Sequence, residues 1–209
     1  MKKILLLAAL ALALPMAAFA DSIDYSNSGG TLMASTGSSP TLALSGSELI
    51  EIRGFPGSQI TGNNLGSVSF TTGALVSGSL SATTPGVIAT FGAGGTFMIT
   101  GNGSNGAPTG VIFTGTFSGP VTLTLNTPAV DGTHTYTLNG TLTGTTASGF
   151  KTVGTTVQVT VYTGQGFING PVEVGSGDTV ILVPEPGSLG LLGTGLIGLA
   201  GIVRRKLKA

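Results

Sequence analysis

Short runs of alternating apolar and polar residues, separated by glycine, proline and asparagine, fill the chain from Thr41 to Val183. In the run Val121–Asn126 the odd positions are valine or leucine, and the even positions are threonine or asparagine. Successive side chains of a strand point to opposite faces, so such a run predicts a strand with one buried face. No segment of this region places apolar residues at helical spacing. The pattern predicts a single antiparallel all-β domain over residues 41–183, of the sandwich or jelly-roll class.

The candidate strands are bounded by turn-forming residues. They are Thr41–Leu44, Glu48–Arg53, Ser67–Thr71, Ala74–Ala82, Val87–Phe91, Thr96–Thr100, Gly110–Ser118, Val121–Asn126, Thr133–Thr143, Thr155–Thr163 and Thr179–Val183. Residues 21–40 are polar and rich in serine and glycine. For this stretch we expect a loose N-terminal arm with at most one edge strand.

A short internal repeat places glycine between apolar residues of one strand face. Phe113–Gly119 and Leu138–Gly144 share the pattern apolar-x-Gly-Thr-apolar-x-Gly, and Val76–Ala82 is a looser third copy. A glycine at that position relieves crowding and lets a strand bend or a neighbour approach closely. We interpret the repeat as a source of sheet curvature and not as a binding site.

The N-terminus has the three parts of a secretory signal peptide. Basic residues at positions 2 and 3 precede an apolar run over residues 4–14, and the small residues Ala18 and Ala20 flank Phe19. This order predicts a signal peptide over residues 1–20, which signal peptidase removes by cutting after Ala20. A free-standing transmembrane helix is the alternative, and both the short apolar run and the Ala-x-Ala site argue against it.

The C-terminal segment, residues 184–209, contains a rigid motif, an apolar run and a basic end. The motif is Pro184-Glu185-Pro186, in which the two prolines favour extended backbone. Residues 189–203 carry no charge and predict one transmembrane helix. Its length of about 22 Å is shorter than the roughly 30 Å hydrocarbon core, so a permanent anchor would be marginal. The basic end, 204–208, is expected to stay on the cytoplasmic side of the inner membrane.

This order of parts resembles the PEP-CTERM sorting segment of Gram-negative bacteria, over about the last eighth of the chain. The residues that carry the resemblance are Pro184, Glu185 and Pro186 for the motif, and Arg204, Arg205 and Lys206 for the basic stop. The resemblance implies an inner-membrane-anchored precursor that an exosortase, a membrane protease, cuts near the motif. The product would then reach the cell surface or the medium. An ordinary C-terminal membrane anchor and a buried helix are the alternatives.

The composition excludes several classes of function. The chain has no cysteine, which rules out disulfides, thiolate metal sites and cysteine nucleophiles. Six of its eight basic residues lie in the two end segments. Between Asp21 and Val183 only Arg53 and Lys151 are basic, against seven acids, so this part has a net charge of about −5. An acidic body disfavours nucleic acid as a partner.

No catalytic constellation is visible. The single histidine, His134, follows a turn and shares a strand face with Tyr136 and Leu138, so we expect a half-buried histidine at the sheet margin. No serine has the Gly-x-Ser-x-Gly context of a nucleophile elbow. Glu51 and Arg53 are expected to form a surface ion pair. We assign no catalytic residue, no metal ligand and no cofactor.

Threonines at alternate positions suggest one surface hypothesis. They are Thr133, Thr135, Thr137, Thr141 and Thr143. Such arrays order water in ice-binding proteins, and the tail also resembles a C-terminal segment named after bacterial ice-binding proteins. Threonine is equally a good strand residue for a solvated face. Ice binding is therefore retained only as a minor alternative.

The leading expectation is an exported, non-enzymatic protein of the cell surface or extracellular matrix. Its expected partners are signal peptidase, an exosortase-like membrane protease and, at its destination, exopolysaccharide. A carbohydrate-binding β-sandwich is the main alternative. The chain has no tryptophan, so sugar stacking would rely on Tyr25, Tyr136 and Tyr162. A secreted hydrolase built on dispersed serine, histidine and aspartate residues is the remaining alternative.

Overall fold

The computed structural model describes residues 21–55, 58–82, 84–128, 134–149, 151–163, 168 and 170–183. The predicted signal peptide, the sorting motif, the apolar run and the basic end lie outside these residues. Residues 22–183 form a compact unit of their own. Within the described ranges, no helix has the length and apolar character needed to cross a membrane.

Antiparallel strands make up most of the described structure, which confirms the all-β prediction. They are β1 Asp21–Ser28, β2 Thr31–Ala34, β3 Leu42–Phe55, β4 Ser58–Thr71, β5 Leu75–Gly78, β6 Gly86–Phe91, β7 Gly94–Asn102, β8 Thr109–Phe117, β9 Val121–Pro128, β10 His134–Thr146, β11 Lys151–Thr163 and β12 Val172–Val183. A 3-10 turn at Ser104–Gly106 joins β7 to β8.

Four pairs of short strands are the two halves of longer, interrupted strands. The pair β8 and β9 lies along one edge of β10: β9 pairs with the N-terminal half of β10 and β8 with its C-terminal half. β1 and β2 lie in the same way along β3. The pairs β4–β5 and β6–β7 instead meet half to half, β4 with β7 and β5 with β6. Counted so, the chain forms eight long strands, each antiparallel to the next along the sequence.

The eight long strands close into a ring. The last strand, β12, pairs with β2 through Val172 opposite Leu32, and it also lies beside β1. All twelve strands therefore belong to one sheet that returns to its own first strand. The two facing sheets of a sandwich or jelly roll are not confirmed, because strand alternation predicts faces but not the partner of each edge.

The N-terminal stretch differs from the expected loose arm. It contains β1 and β2, which both pair with β3. Tyr25 and Leu32 are fully buried, and the buried Asn27 side chain donates a hydrogen bond to Ser47 Oγ at 2.7 Å. These strands were not predicted from the sequence, because their composition is polar and only a few of their residues are large and apolar.

A cluster of four phenylalanines fills the interior between β4, β7 and β8. The Phe97 ring lies 6.0 Å from Phe70 in a stacked arrangement, and its edge-on neighbours Phe113 and Phe117 are 6.1 and 6.3 Å away. All four side chains are at most 3% exposed. Aromatic pairs at this spacing add to the stabilisation that burial provides.

The repeat glycines leave room for these rings. A Cβ atom on Gly140 would lie 2.7 Å from Cε1 of Phe117, and one on Gly144 would overlap the Phe113 ring. On β8, a Cβ on Gly115 would meet the Thr143 carbonyl at 2.6 Å. These contacts confirm that the glycines of the repeat permit close approach.

The interruptions of neighbouring long strands lie side by side. Between β6 and β7, the Gly92 amide donates a hydrogen bond to the Ala74 carbonyl, which lies between β4 and β5, at 2.8 Å. Between β8 and β9, the Ser118 amide donates to the Thr141 carbonyl of β10 at 2.9 Å. The breaks therefore follow one line across three neighbouring long strands, and Pro120, in the last of these breaks, also lines the groove described next.

Candidate functional site

A polar groove crosses the outer face of β9, β10, β11 and β12. It consists of two adjoining depressions of about 400 and 250 Å³ that share Gln158. The first is lined by Pro120, Thr122, Asn139, Gly140, Thr141 and Val157, and the second by Ser26, Asn27, Ile50, Thr160, Ser176, Gly177 and Asp178. Eight of the fourteen lining residues carry a hydroxyl, amide or carboxylate group that is at least partly exposed, and apolar atoms make up the rest of the surface.

Strand register arranges polar side chains in the groove, and those two residues further along the same strands, in two rows. In the first row Thr122, Asn139, Gln158 and Asp178 lie directly opposite one another on successive strands. In the second row Thr124, Thr137, Thr160 and Ser176 do the same. Neighbouring strands are about 4.8 Å apart, so each row offers hydrogen-bonding groups at a regular spacing.

The first depression forms where β10 changes partner. On this edge β10 pairs with β9 up to Asn139 and with β8 from Leu142 onward, so Gly140 and Thr141 lie opposite the break. Pro120 occupies that break and has no N–H group to pair with β10. The gap in the hydrogen-bond ladder is thus built into the sequence.

The second depression ends at a group of carboxyls. Ser26 Oγ donates a hydrogen bond to Asp178 Oδ1 at 2.9 Å, and Asp24 lies close by on β1. Burial raises the pKa of the Asp24 carboxyl above its ordinary value, and the charge of Asp178 raises it further. Oδ1 of Asp24 is buried and has no hydrogen-bond partner in the described structure. This end of the groove therefore carries a carboxyl whose pKa is raised by burial and by a neighbouring carboxylate.

The predicted Glu51–Arg53 pair is confirmed beside these carboxyls. Arg53 Nε donates to Glu51 Oε1 at 2.6 Å, and Gln59 donates to the same oxygen. Hydrogen bonds from Arg53 and Gln59 lower the pKa of the Glu51 carboxyl. The Arg53 side chain remains 57% exposed, so the pair adds little to stability.

His134 lies as predicted, half-buried on the face shared by the buried Tyr136 and Leu138. Its ring is 6.1 Å from that of Tyr136. The Tyr136 hydroxyl is buried without a hydrogen-bond partner in the described part of the chain, and burial raises its pKa. Burial also raises the pKa of Tyr25 to about 12.

The tyrosines require a correction to the sugar-stacking expectation. Tyr25 is 1% exposed and Tyr136 is fully buried, so neither can stack against an external ligand. Both occupy inward positions of their strands. The Tyr162 side chain lies outside the described atoms. Among the described side chains, the groove offers a carbohydrate amides, hydroxyls and one carboxyl, and no aromatic ring.

The predicted threonine face is confirmed for the described members. Tyr136, Leu138 and Leu142 point inward, so Thr135, Thr137, Thr141 and Thr143 occupy the outer face of β10. Asn126 donates a hydrogen bond to Thr137 Oγ1 at 2.6 Å. Thr133 lies outside the described residues.

The sorting segment begins where the closed sheet ends. A family model for the PEP-CTERM protein-sorting motif matches residues 182–206. The chain carries a PEP-CTERM sorting motif. This match confirms the resemblance, and its range contains Pro184, Glu185 and Pro186 as well as Arg204, Arg205 and Lys206. Comparison with curated proteins and with solved structures gave no match to the chain.

The PEP-CTERM motif identifies an exported protein that is sorted by an exosortase, a membrane protein, and that ends up at the cell surface. Its match overlaps β12 by two residues, Leu182 and Val183. The predicted signal-peptidase site at Ala18 and Ala20 lies outside the described structure and remains a prediction. No group of three or more His, Asp or Glu side chains in the described ranges could hold a metal ion.

Sequence reasoning missed the groove. Asn139, Gln158 and Asp178 are far apart in the chain, and only the strand register brings them into one row. Alternation gave a usable signal for two of them, because Asn139 follows the buried Leu138 and Gln158 follows the buried Val157, whereas Asp178 lies between Gly177 and Thr179. The order of the strands was the missing information.

Proposed function

We propose that this chain is an exported, non-enzymatic protein of the cell surface or extracellular matrix. The observation that carries the proposal is the PEP-CTERM motif at residues 182–206, placed directly after the last strand of a closed β domain. A membrane-held precursor would be cut near the motif by an exosortase-like protease. The body, residues 21–183, would then be released or retained at the surface.

The geometry of the described side chains supports a role without catalysis. Asp24 and Asp178 are the closest approach to a catalytic pair, but their carboxyls interact directly. Glycosidases hold their two carboxyls about 5 Å or more apart, with the sugar between them. His134 is stacked on a buried tyrosine and lies on the inward face of β10, away from the outer groove.

The surface chemistry supports an extracellular matrix role. The body is mildly acidic and its outer strand faces are rich in threonine, serine and amide side chains. A closed sheet also leaves few unpaired backbone groups along its edges, which suits a domain that has no disulfide to stabilise it outside the cell.

The processing step can be tested by the mass of the secreted form. Expressed in a strain that has an exosortase, the protein is expected at the surface or in the medium without its basic end, residues 204–208. The variant with alanine at positions 184, 185 and 186 is expected to remain in the membrane fraction at full length. An intact peptide ending at Ala209 in the wild-type secreted protein would contradict the proposal.

The groove favours carbohydrate binding as a second candidate function. Asn139 and Gln158 are exposed amides in adjacent strands, and neither makes a hydrogen bond within the described structure. Amides and hydroxyls suit the many donors and acceptors of a sugar. Asp178 adds one carboxylate and the groove contains no cation, so an uncharged polysaccharide is the better fit than an anionic one.

Substitution of the two amides tests this candidate. The double variant Asn139→Ala, Gln158→Ala is expected to bind a neutral glycan about tenfold more weakly than wild type, since each lost hydrogen bond is worth about 0.5–1.5 kcal/mol. Thr114→Ala on β8, outside the groove, is the matched control and should bind as wild type does. A glycan array and the exopolysaccharide of the producing strain are the probes. Absence of glycan binding, with inhibition of ice recrystallisation instead, would favour ice as the ligand.

A further inference from the structure

The ring of strands closes at a seam, the junction where the first strand, β1, lies beside the last strand, β12. On its other edge β1 pairs with β3, which places Asp24 opposite Arg53. Across the seam Ser26 Oγ donates a hydrogen bond to Asp178 Oδ1 at 2.9 Å. The Asp24 carboxyl is also within hydrogen-bonding reach of the Asp178 carboxyl. Two acidic side chains in direct contact therefore bridge the first and last strands.

The contact between these carboxyls depends on a proton. Two ionised carboxylates have only acceptor oxygens, so they cannot hydrogen-bond to each other and they repel. A protonated Asp24 instead has an O–H group that can donate to the Asp178 carboxylate, which then accepts from both Asp24 and Ser26. One proton thus changes a repulsive contact across the seam into an attractive one.

The surroundings of Asp24 make its negative charge costly. Oδ1 of Asp24 is buried and accepts no hydrogen bond from any group that the structure describes. A carboxylate that is removed from water needs such donors more than a neutral carboxyl does. Burial and the charge of Asp178 accordingly raise the pKa of the Asp24 carboxyl.

The charged groups that act on Asp24 within the described structure are Asp178 on β12 and the β3 residues Arg53 and Glu51. The charge of Arg53 lowers the pKa of Asp24, and the charge of Glu51 raises it. Arg53 is a weak counter-charge, because its Nε donates to Glu51 and its side chain is 57% exposed to solvent. The pKa of Asp24 is therefore raised in spite of the nearby cation.

We propose that Asp24 and Asp178 form an acid-stabilised clasp that ties the first strand of the ring to the last. The clasp is closed when the pair holds one proton, and loss of this proton as the pH rises weakens the seam. In the unfolded chain Asp24 titrates near the ordinary pKa of about 3.9, and in the folded chain its pKa is higher. The stability that the clasp contributes is thus fully present below about pH 3.9 and is lost as the pH rises through the folded pKa.

Thermal unfolding of the full-length chain in detergent, with EDTA to remove divalent cations, tests the clasp. Asp24→Asn keeps the shape of the side chain and a donor for Asp178 but has no proton to lose. This variant should melt close to wild type at about pH 3 and a few degrees above it at about pH 7. Glu48→Gln, at an exposed carboxyl of β3, is the matched control and should keep the pH dependence of wild type. A difference between Asp24→Asn and wild type that is the same at both pH values, or that favours wild type at about pH 7, would overturn the proposal.

The variant Asp178→Asn tests the pair from the other strand, and it decides the matter if Asp24→Asn fails to fold. It should also melt above wild type at about pH 7. Combined with Asp24→Asn, it should give less than the sum of the two single gains, because both changes remove the same repulsion. Fully additive gains would mean that the two carboxyls titrate independently, which contradicts a shared proton.

Hydrogen exchange of the wild-type chain locates the effect in the fold. After correction for the intrinsic pH dependence of exchange, peptides from β12 should lose protection relative to peptides from β7 between about pH 4 and about pH 7. This result would place the weakening at the seam. Equal changes in β12 and β7 would show a loss of stability throughout the domain and would rule out a clasp at the seam.

Discussion

Replacing Phe97 with alanine is expected to lower the free energy of unfolding by about 3–5 kcal/mol. Phe97 is 1% exposed, and its ring contacts those of Phe70, Phe113 and Phe117. Removing it leaves a cavity where three strands meet, because the rigid neighbouring rings cannot collapse into the space. For a domain of this size each kcal/mol lowers the melting temperature by about 2–4 °C, so a decrease of about 10 °C is expected.

The measurement is denaturant and thermal unfolding of the body, residues 21–183. Phe97→Leu, which keeps most of the volume, should cost less than half as much. Met98→Ala is a matched control, because the adjacent residue is 40% exposed on the outer face and should change stability by no more than about 0.5 kcal/mol. If Phe97→Ala cost less than about 1 kcal/mol, the aromatic cluster would not be the centre of the core.

Gly140→Ala is expected to destabilise the body by about 1–3 kcal/mol through overpacking. The new methyl group would lie 2.7 and 2.8 Å from ring atoms of Phe117 and 3.2 Å from Val121. These neighbours are buried side chains and cannot move into solvent. Gly170→Ala is the control, because a Cβ there meets no atom of the described residues within 4 Å, and it should leave the melting temperature within a few degrees of wild type.

A double-mutant cycle distinguishes this steric cause from a general effect on β10. Phe117→Leu alone creates a small cavity and should be destabilising. In the double variant with Gly140→Ala, leucine at position 117 removes the overlap with the new methyl group. The double variant should therefore lose at least about 0.5 kcal/mol less stability than the sum of the two single-variant losses. If the two stability losses measured by denaturant unfolding were strictly additive, Gly140 would be needed for its backbone conformation and not to leave space for the Phe117 ring.

Local alternation predicted which residues face inward but not how the strands are connected. Val121, Leu123 and Leu125 are all buried, as their spacing predicted. The pairing of β12 with β2 joins residues about 140 positions apart, and nothing in either run specifies the other. The interrupted strands could not be foreseen for the same reason, since a break at Gly119 resembles the end of a strand until its neighbours are known.

The sorting motif and the groove also differ in how far the sequence alone could predict them. Pro184, Glu185 and Pro186 were predictable because a sorting motif is read as a linear segment, and the family match covers them. The groove depends on register, which places Gln158 between Asn139 and Asp178. Tyr25 shows the converse error: an aromatic residue in a polar stretch looked available to a ligand, yet it belongs to the core.

Closure by the first and last strands has a consequence for the order of assembly. A chain that is exported from its N-terminus delivers β12 last, so the edges of β1 and β11 stay without their partner until almost the whole body has crossed. Unpaired edges are the surfaces on which β proteins aggregate. A tail that holds the chain at the membrane until Val183 has crossed would keep each unfinished domain apart from its neighbours. The domain would then be released only once β12 can pair with β1 and β11.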